Sequence, residues 1–121
     1  VVLCSLMSTP TLRTEETEAR YQKLKEDGIL EQSCALCRVE PKHLFTYWKI
    51  IPNEFPYDKI AKVHDMAVTL RHTAELNEEE RAEFEVIKSS YINDNYRYLL
   101  EATTRTKSIP AHFHIHMIEI K

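Results

Sequence analysis

The chain holds a single glycine, Gly28, in 121 residues. That scarcity excludes a phosphate-cradling glycine-rich loop and a G-x-G-x-x-G dinucleotide fingerprint, both of which need glycine where backbone closes on phosphate. Any phosphate contact must come from side chains or ordinary backbone amides. Positive charge is not in excess either. The formal net charge is -3, so no bulk electrostatic pull toward extended nucleic acid or an anionic membrane is expected. Long apolar runs are missing, and none approaches the roughly 20 residues of a membrane-spanning helix. Val1 to Met7 is apolar, but it is short and lacks a basic flank, which makes it a poor signal peptide. The expectation is a cytoplasmic protein, with Met7 as a candidate start. There is no internal repeat and no low-complexity stretch.

What remains is ordinary globular composition, with 43% hydrophobic and 29% charged residues, enough for one domain. Residues 1–13 carry Ser, Thr and Pro10 and read as a flexible N-terminal segment. Residues 14–121 read as a single domain that begins with a helix over 14–31. Thr14 suits its N-cap, Glu15 and Glu16 its first turn, and Gly28 its C-terminal end. Leu44 to Ile51 is aromatic and β-branched and predicts a strand, ended by Pro52, Asn53 and Pro56. Lys62 to Leu70 predicts a second strand. Asn77 to Ile92 predicts one long helix, opened by the capping pair Asn77 and Glu80. Tyr96 to Leu100 and Phe113 to Ile120 predict two more strands, with a polar loop at Thr103 to Ser108. Strands in hairpin-like succession point to α+β with an antiparallel sheet.

The chemistry concentrates in histidine. Six occur in the chain, and three alternate in Ala111-His112-Phe113-His114-Ile115-His116-Met117-Ile118. On a strand, alternate residues share a face and stand about 6.6 Å apart. A row of imidazoles near neutral pH offers bases, nucleophiles or metal ligands, while the opposite face is apolar. Cys34-Ala35-Leu36-Cys37 is a C-x-x-C: a redox pair, half of a zinc site, or two buried thiols. Cys4 lies too far upstream to be a natural third ligand, so any remaining metal ligands should be histidines. His64 and His72 stand eight apart, on one face if a strand persists between them. Asn53, after a strand and before a proline-rich turn, could bond a ligand hydroxyl or cap its own turn. His43 reads as a surface residue.

Together these motifs resemble the histidine triad (HIT) superfamily. The signature His-φ-His-φ-His-φ-φ is met by His112-Phe113-His114-Ile115-His116-Met117-Ile118. The stretch Trp48 to Tyr57 is similar to the family's strand and N-x-x-P-Y-like turn, and Leu76 to Glu80 to the start of its long helix. The likeness covers about residues 34 to 121. It implies a half-barrel of antiparallel strands with one long helix, usually a homodimer, here with an extra N-terminal helix. It implies attack on the α-phosphate of a nucleotide substrate. His114 would be the nucleophile, and His116 would orient it or bond a phosphate oxygen. His64 would lie near the phosphates, Asn53 at the ribose and Phe55 at the base. A C-x-x-C subset binds structural zinc, and the matching ligands here are Cys34, Cys37, His72 and His112. The departures are Glu101 in place of an Asn, and Lys107-Ser108-Ile109 in place of Gly-Gln-Ser before the triad. Lys107 and Ser108 would then supply the donors to substrate. The activity implied is hydrolysis of a phosphoramidate or dinucleoside polyphosphate, with nucleotidyl transfer, phosphorolysis or nucleotide binding without turnover as alternatives.

Overall fold

The computed structural model describes residues 11–26, 34–103 and 111–121. The elements are α1 (Glu15–Glu26), α2 (Ala35–Arg38), β1 (His43–Leu44), β2 (Trp48–Pro52), β3 (Ala61–Thr69), α3 (Glu78–Ile87), a π-helical turn over Lys88–Ile92, α4 (Asn93–Asn95), β4 (Tyr98–Leu100) and β5 (His114–Ile120). The strands form one antiparallel sheet in the order β1-β2-β3-β5-β4. The class is α+β with an antiparallel sheet, as the hydrophobic patterning indicates. Among the described residues, no helix is long and apolar enough to cross a membrane.

Register decides which side chains meet. Ile51 opposes Met66, and Met66 opposes His116; Lys49 opposes Val68, and Val68 opposes His114. Directly opposed residues project to the same side of the sheet. One face therefore gathers Lys49, Ile51, His64, Met66, Val68, His114 and His116. The other face carries Trp48, Ile50, Ala67 and Met117, all fully buried against Ile87 and Ile92. Burying a side chain the size of Ile50 or Met117 contributes about 1.5–3 kcal/mol, so this packed face anchors the strands from which the histidines project.

α3 starts as its sequence requires. Asn77 Oδ1 accepts from the Glu80 amide at 2.8 Å, and Glu80 Oε1 accepts from the Asn77 amide at 2.9 Å. Glu80 is buried and also takes the Arg71 guanidinium at 2.8 and 3.2 Å. The hydrogen bond from Arg71, first among the causes, with the Asn77 amide and the Arg71 charge behind it, holds the Glu80 carboxyl below its usual range against the opposing effect of burial. That fork ties the end of β3 to the start of α3.

The patterning gives no sign of the short α2, the strand expected over 96–100 begins at Tyr98, and two further elements differ more. The strand expected over 44–51 is a hairpin: β1 and β2 pair, with Leu44 opposite Lys49, and the Phe45 amide closes the turn on the Trp48 carbonyl at 2.7 Å. The turn carries no glycine or proline; the Glu83 carboxylate caps it from α3 by accepting from the Thr46 and Tyr47 amides. The helix expected over 77–92 is regular only to Ile87. Ser89 and Ser90 hydroxyls donate back to the Glu85 and Val86 carbonyls, and such bonds compete for the helix acceptors and widen the turn.

α1 is docked rather than appended. Thr14 caps it, accepting from the Thr17 amide at 3.4 Å. Asp58, from the β2–β3 loop, accepts from the Thr14 amide at 2.7 Å and from the Thr17 hydroxyl at 2.5 Å. These bonds, the Thr17 hydroxyl first, bring the Asp58 carboxyl down to about 2. Leu12 and Arg13, assigned by sequence to the flexible segment, are also tied to this loop, through the Leu12 carbonyl on Lys59 and the Arg13 Nε on the Phe55 carbonyl. The expected helix end at Gly28 lies outside the described residues.

Candidate active site and metal centre

At one end of the histidine face, α2 brings Cys34 and Cys37 against the His72 that follows β3 and the His112 that precedes β5. Their ligand atoms all lie within 4.8 Å of one another. Cys37 Sγ is 3.3 Å from His72 Nδ1 and 3.4 Å from His112 Nδ1, and Cys34 Sγ is 3.4 Å from the same His112 Nδ1. A tetrahedral ion with bonds of about 2.3 Å to sulfur and about 2.0–2.1 Å to nitrogen spaces S and N about 3.5 Å apart. The donor set and spacing fit that ion. Orientation fits too. His112 Nε2 donates to the Thr69 carbonyl at 2.7 Å, so the lone pair sits on Nδ1, among the sulfurs. A second partner of this kind commonly fixes the tautomer of a metal-binding histidine. This cluster could hold a metal ion, and Cys2His2 is compatible with zinc.

Further along the same face lies a second histidine group. The Tyr57 amide donates to His64 Nδ1 at 2.9 Å. Burial first, then the Arg13 charge, pushes His64 down to about 4, with Asp65 pulling the other way. His64 is therefore neutral at pH 7, and with Nδ1 accepting, its proton is on Nε2. That N–H faces His116 Nδ1 at 2.8 Å. His116 in turn carries its proton on Nε2, 3.4 Å from the Tyr57 hydroxyl. Tyr57, His64 and His116 thus form a closed ring of donors and acceptors. Beside them, His114 Nδ1 donates to the His112 carbonyl at 2.9 Å. The His114 lone pair is consequently on Nε2. Its ring meets the His116 ring edge-on, with centroids 5.2 Å apart.

No family model, curated protein or solved structure matches the chain. The site must therefore be read on its own chemistry.

Of the residues singled out by sequence, the structure brings Cys34, Cys37, His72 and His112 into one cluster and His64, His116 and Asn53 into another, with His114 between. Asn53 does cap its own turn, accepting from the Phe55 amide at 2.8 Å, while its Nδ2 lies 3.3 Å from His64 Nε2. Phe55 packs on Tyr21 of α1, ring centroids 5.4 Å apart. Lys107 and Ser108 lie outside the described residues. Glu101 is exposed, just past β4. His43 is exposed as expected, with its ring tilted against that of Phe45. Sequence reasoning placed Tyr57 in the N-x-x-P-Y-like turn but gave it no role, whereas it sets the tautomer of His64 through its backbone; it missed Arg13, whose charge reaches the site from another element. A backbone amide leaves no trace in residue type, and Arg13 sits in a stretch with no motif.

The buried, neutral His64 predicts a pH dependence. Its folded value is about 4, below the ordinary 6.5 or so of an unfolded histidine. Its contribution to stability is thus present above about pH 6.5 and is lost as pH falls through about 4, on the order of 3 kcal/mol at most. Urea unfolding at pH 7 and pH 4 should show a smaller acid loss in His64→Gln than in wild type. Equal losses would contradict it.

Proposed function

We propose that the chain is a HIT-like nucleotide hydrolase stabilised by zinc at Cys34, Cys37, His72 and His112. The observation that carries this reading is the proton arrangement at His114. With Nδ1–H bonded to the His112 carbonyl, Nε2 holds the nucleophilic lone pair, and the carbonyl stabilises the positive charge that the ring acquires on attack. Nε2 forms a bond to the α-phosphorus of a nucleoside phosphoramidate or dinucleoside polyphosphate, and the bond to the leaving group breaks. Water then cleaves the resulting N–P bond, releasing the nucleoside monophosphate and restoring His114. His116 is set by His64 and Tyr57 to orient His114 or to donate to a phosphate oxygen. Asn53 is assigned to the ribose and Phe55 to the base; Lys107 and Ser108, outside the described residues, are assigned by resemblance as donors to substrate. The zinc supplies no step of the reaction, since a site closed by four protein ligands is structural; it holds His112, and so the carbonyl on which His114 depends.

A homodimer belongs to the same reading. β4 is a sheet edge, and its Tyr98 and Leu99 are exposed, an apolar edge of the kind that proteins normally cover. The thiols Cys34 and Cys37 are unbridged, which suits a reducing, cytoplasmic compartment.

The test is a nucleotide panel headed by a fluorogenic adenosine phosphoramidate, assayed with wild type and His114→Ala. Turnover by wild type alone is expected. Equal rates, or binding without turnover by wild type, would refute hydrolysis through His114. Product analysis with and without inorganic phosphate distinguishes water from phosphate as the acceptor.

A further inference from the structure

We propose that Arg13, carried in by the segment that opens α1, is a positioning residue of this site: it clamps the Phe55 carbonyl and the Tyr57 ring, and so sets the His64–His116 pair beside His114. The inference rests on the reading of His114 as nucleophile and extends it to an element outside the triad motifs.

Three observations meet at Arg13. Its side chain is only 12% exposed. Nε donates to the Phe55 carbonyl at 2.7 Å. The guanidinium carbon lies 4.3 Å from the Tyr21 ring centroid and 5.1 Å from that of Tyr57. The cation is thus held over two aromatic rings, where it gains quadrupole attraction and loses mobility. Tyr57 then passes the position on. Its ring centroid is 4.5 Å from His64 and 5.0 Å from His116, and its amide and hydroxyl are the two groups that meet the histidine pair. One residue separates Arg13 from the pair.

Geometry and charge act in the same direction. If His64 took a proton on Nδ1, that N–H would meet the Tyr57 amide head-on and expel it. The turn held by Arg13 would then open. A nearby guanidinium resists that proton electrostatically. The groups around His64 can be named. Arg13 comes from the α1 segment, with Glu18 of α1 at 3.4 Å partly offsetting it. Tyr57 comes from the β2–β3 loop, with its phenol pushed up by burial. His116 comes from β5. Asp65 neighbours His64 on β3 but is engaged by Lys42 and Tyr96. Arg13 is the cation of this group that acts directly on His64.

The experiment uses the full chain loaded with zinc. Histidine ring resonances are titrated in wild type, Arg13→Lys and Arg13→Met, alongside steady-state turnover of the adenosine phosphoramidate, with metal content as the folding control. In Arg13→Met, the His64 midpoint should rise from about 4, and kcat should fall about 10-fold through misplacement of the pair, with less change in KM. Arg13→Lys keeps the charge but not the planar fork. It should return the midpoint toward wild type while kcat stays reduced. A His64 midpoint unmoved in Arg13→Met overturns the proposal, as does a loss of thermal stability alone with kcat unchanged. Should wild type turn over no nucleotide, the reading of His114 fails by itself, and the titration still decides whether Arg13 sets the histidine pair.

Discussion

On the proposed mechanism, His114→Ala should lower turnover of an adenosine phosphoramidate by at least about 10³-fold, because loss of the covalent nucleophile would remove the reaction path and leave only binding and electrostatic contributions. The fold should survive. His114 projects from β5, whose other face is anchored by Met117 in the core around Trp48, Ile50 and Ala67. His114→Asn serves as the control for volume and polarity, and it too should be inactive, since an amide cannot form the phosphoramidate intermediate. His116→Ala should cost less, roughly 10²-fold, the scale of a positioned proton donor or acceptor. It should also disturb His64, which would lose the acceptor now 2.8 Å from its Nε2. Rapid quenching of wild type should trap nucleotide on the protein, and none on His114→Ala. If His116→Ala proves the more damaging change and His114→Ala retains a trapped intermediate, the assignment of the nucleophile is wrong.

Removing the metal should have the larger effect on stability. The four ligand residues come from three places: α2, the segment after β3, and the segment before β5. An ion held there joins α2 to the sheet, where Leu36 packs with Ile51, Met66 and Val68. Free zinc at about 1,000 times its Kd would add about 4 kcal/mol. At several degrees per kcal/mol for a domain of this size, the thermal midpoint should fall by more than about 10 °C on chelation. Cys37→Ser should reproduce that fall in the presence of zinc and reduce bound metal below one ion per chain. On the proposed mechanism activity should fall in parallel, because the metal would no longer fix His112, whose carbonyl accepts the hydrogen bond from His114 Nδ1 at 2.9 Å. A midpoint indifferent to chelator would show that the cluster is four neighbouring side chains and nothing more.

The positions of most elements were legible in the chain because their causes are local. Alternation of His114 and His116 with apolar residues reports a strand with two unlike faces, although His112, expected on the same strand, lies just before it. Asn77 and Glu80 report a helix start three residues apart. The exceptions have causes that residue type leaves open, remote in one case and local in the others. The hairpin at Phe45–Tyr47 is capped from α3 by Glu83, and an aromatic, β-branched run without a turn residue conceals it. The widened turn after Ile87 reflects Ser89 and Ser90 bonding back along the helix, an option that serines can take or leave. Asn53 showed the same ambiguity, and the Phe55 amide claims its oxygen.

Residue types and their spacing determined by themselves which side chains are available: six histidines, a C-x-x-C pair, an antiparallel α+β frame, and no glycine loop for phosphate. Only the tertiary structure decided what state those side chains are in. A neutral imidazole has one N–H and two nitrogens, and for three of the histidines the partner that settles its place comes from another segment: the Tyr57 amide for His64, the Thr69 carbonyl for His112, and His64 itself for His116; for His114 it is the His112 carbonyl two residues back. The chain names the bases; strand register and burial, acting across the sheet, assign the protons.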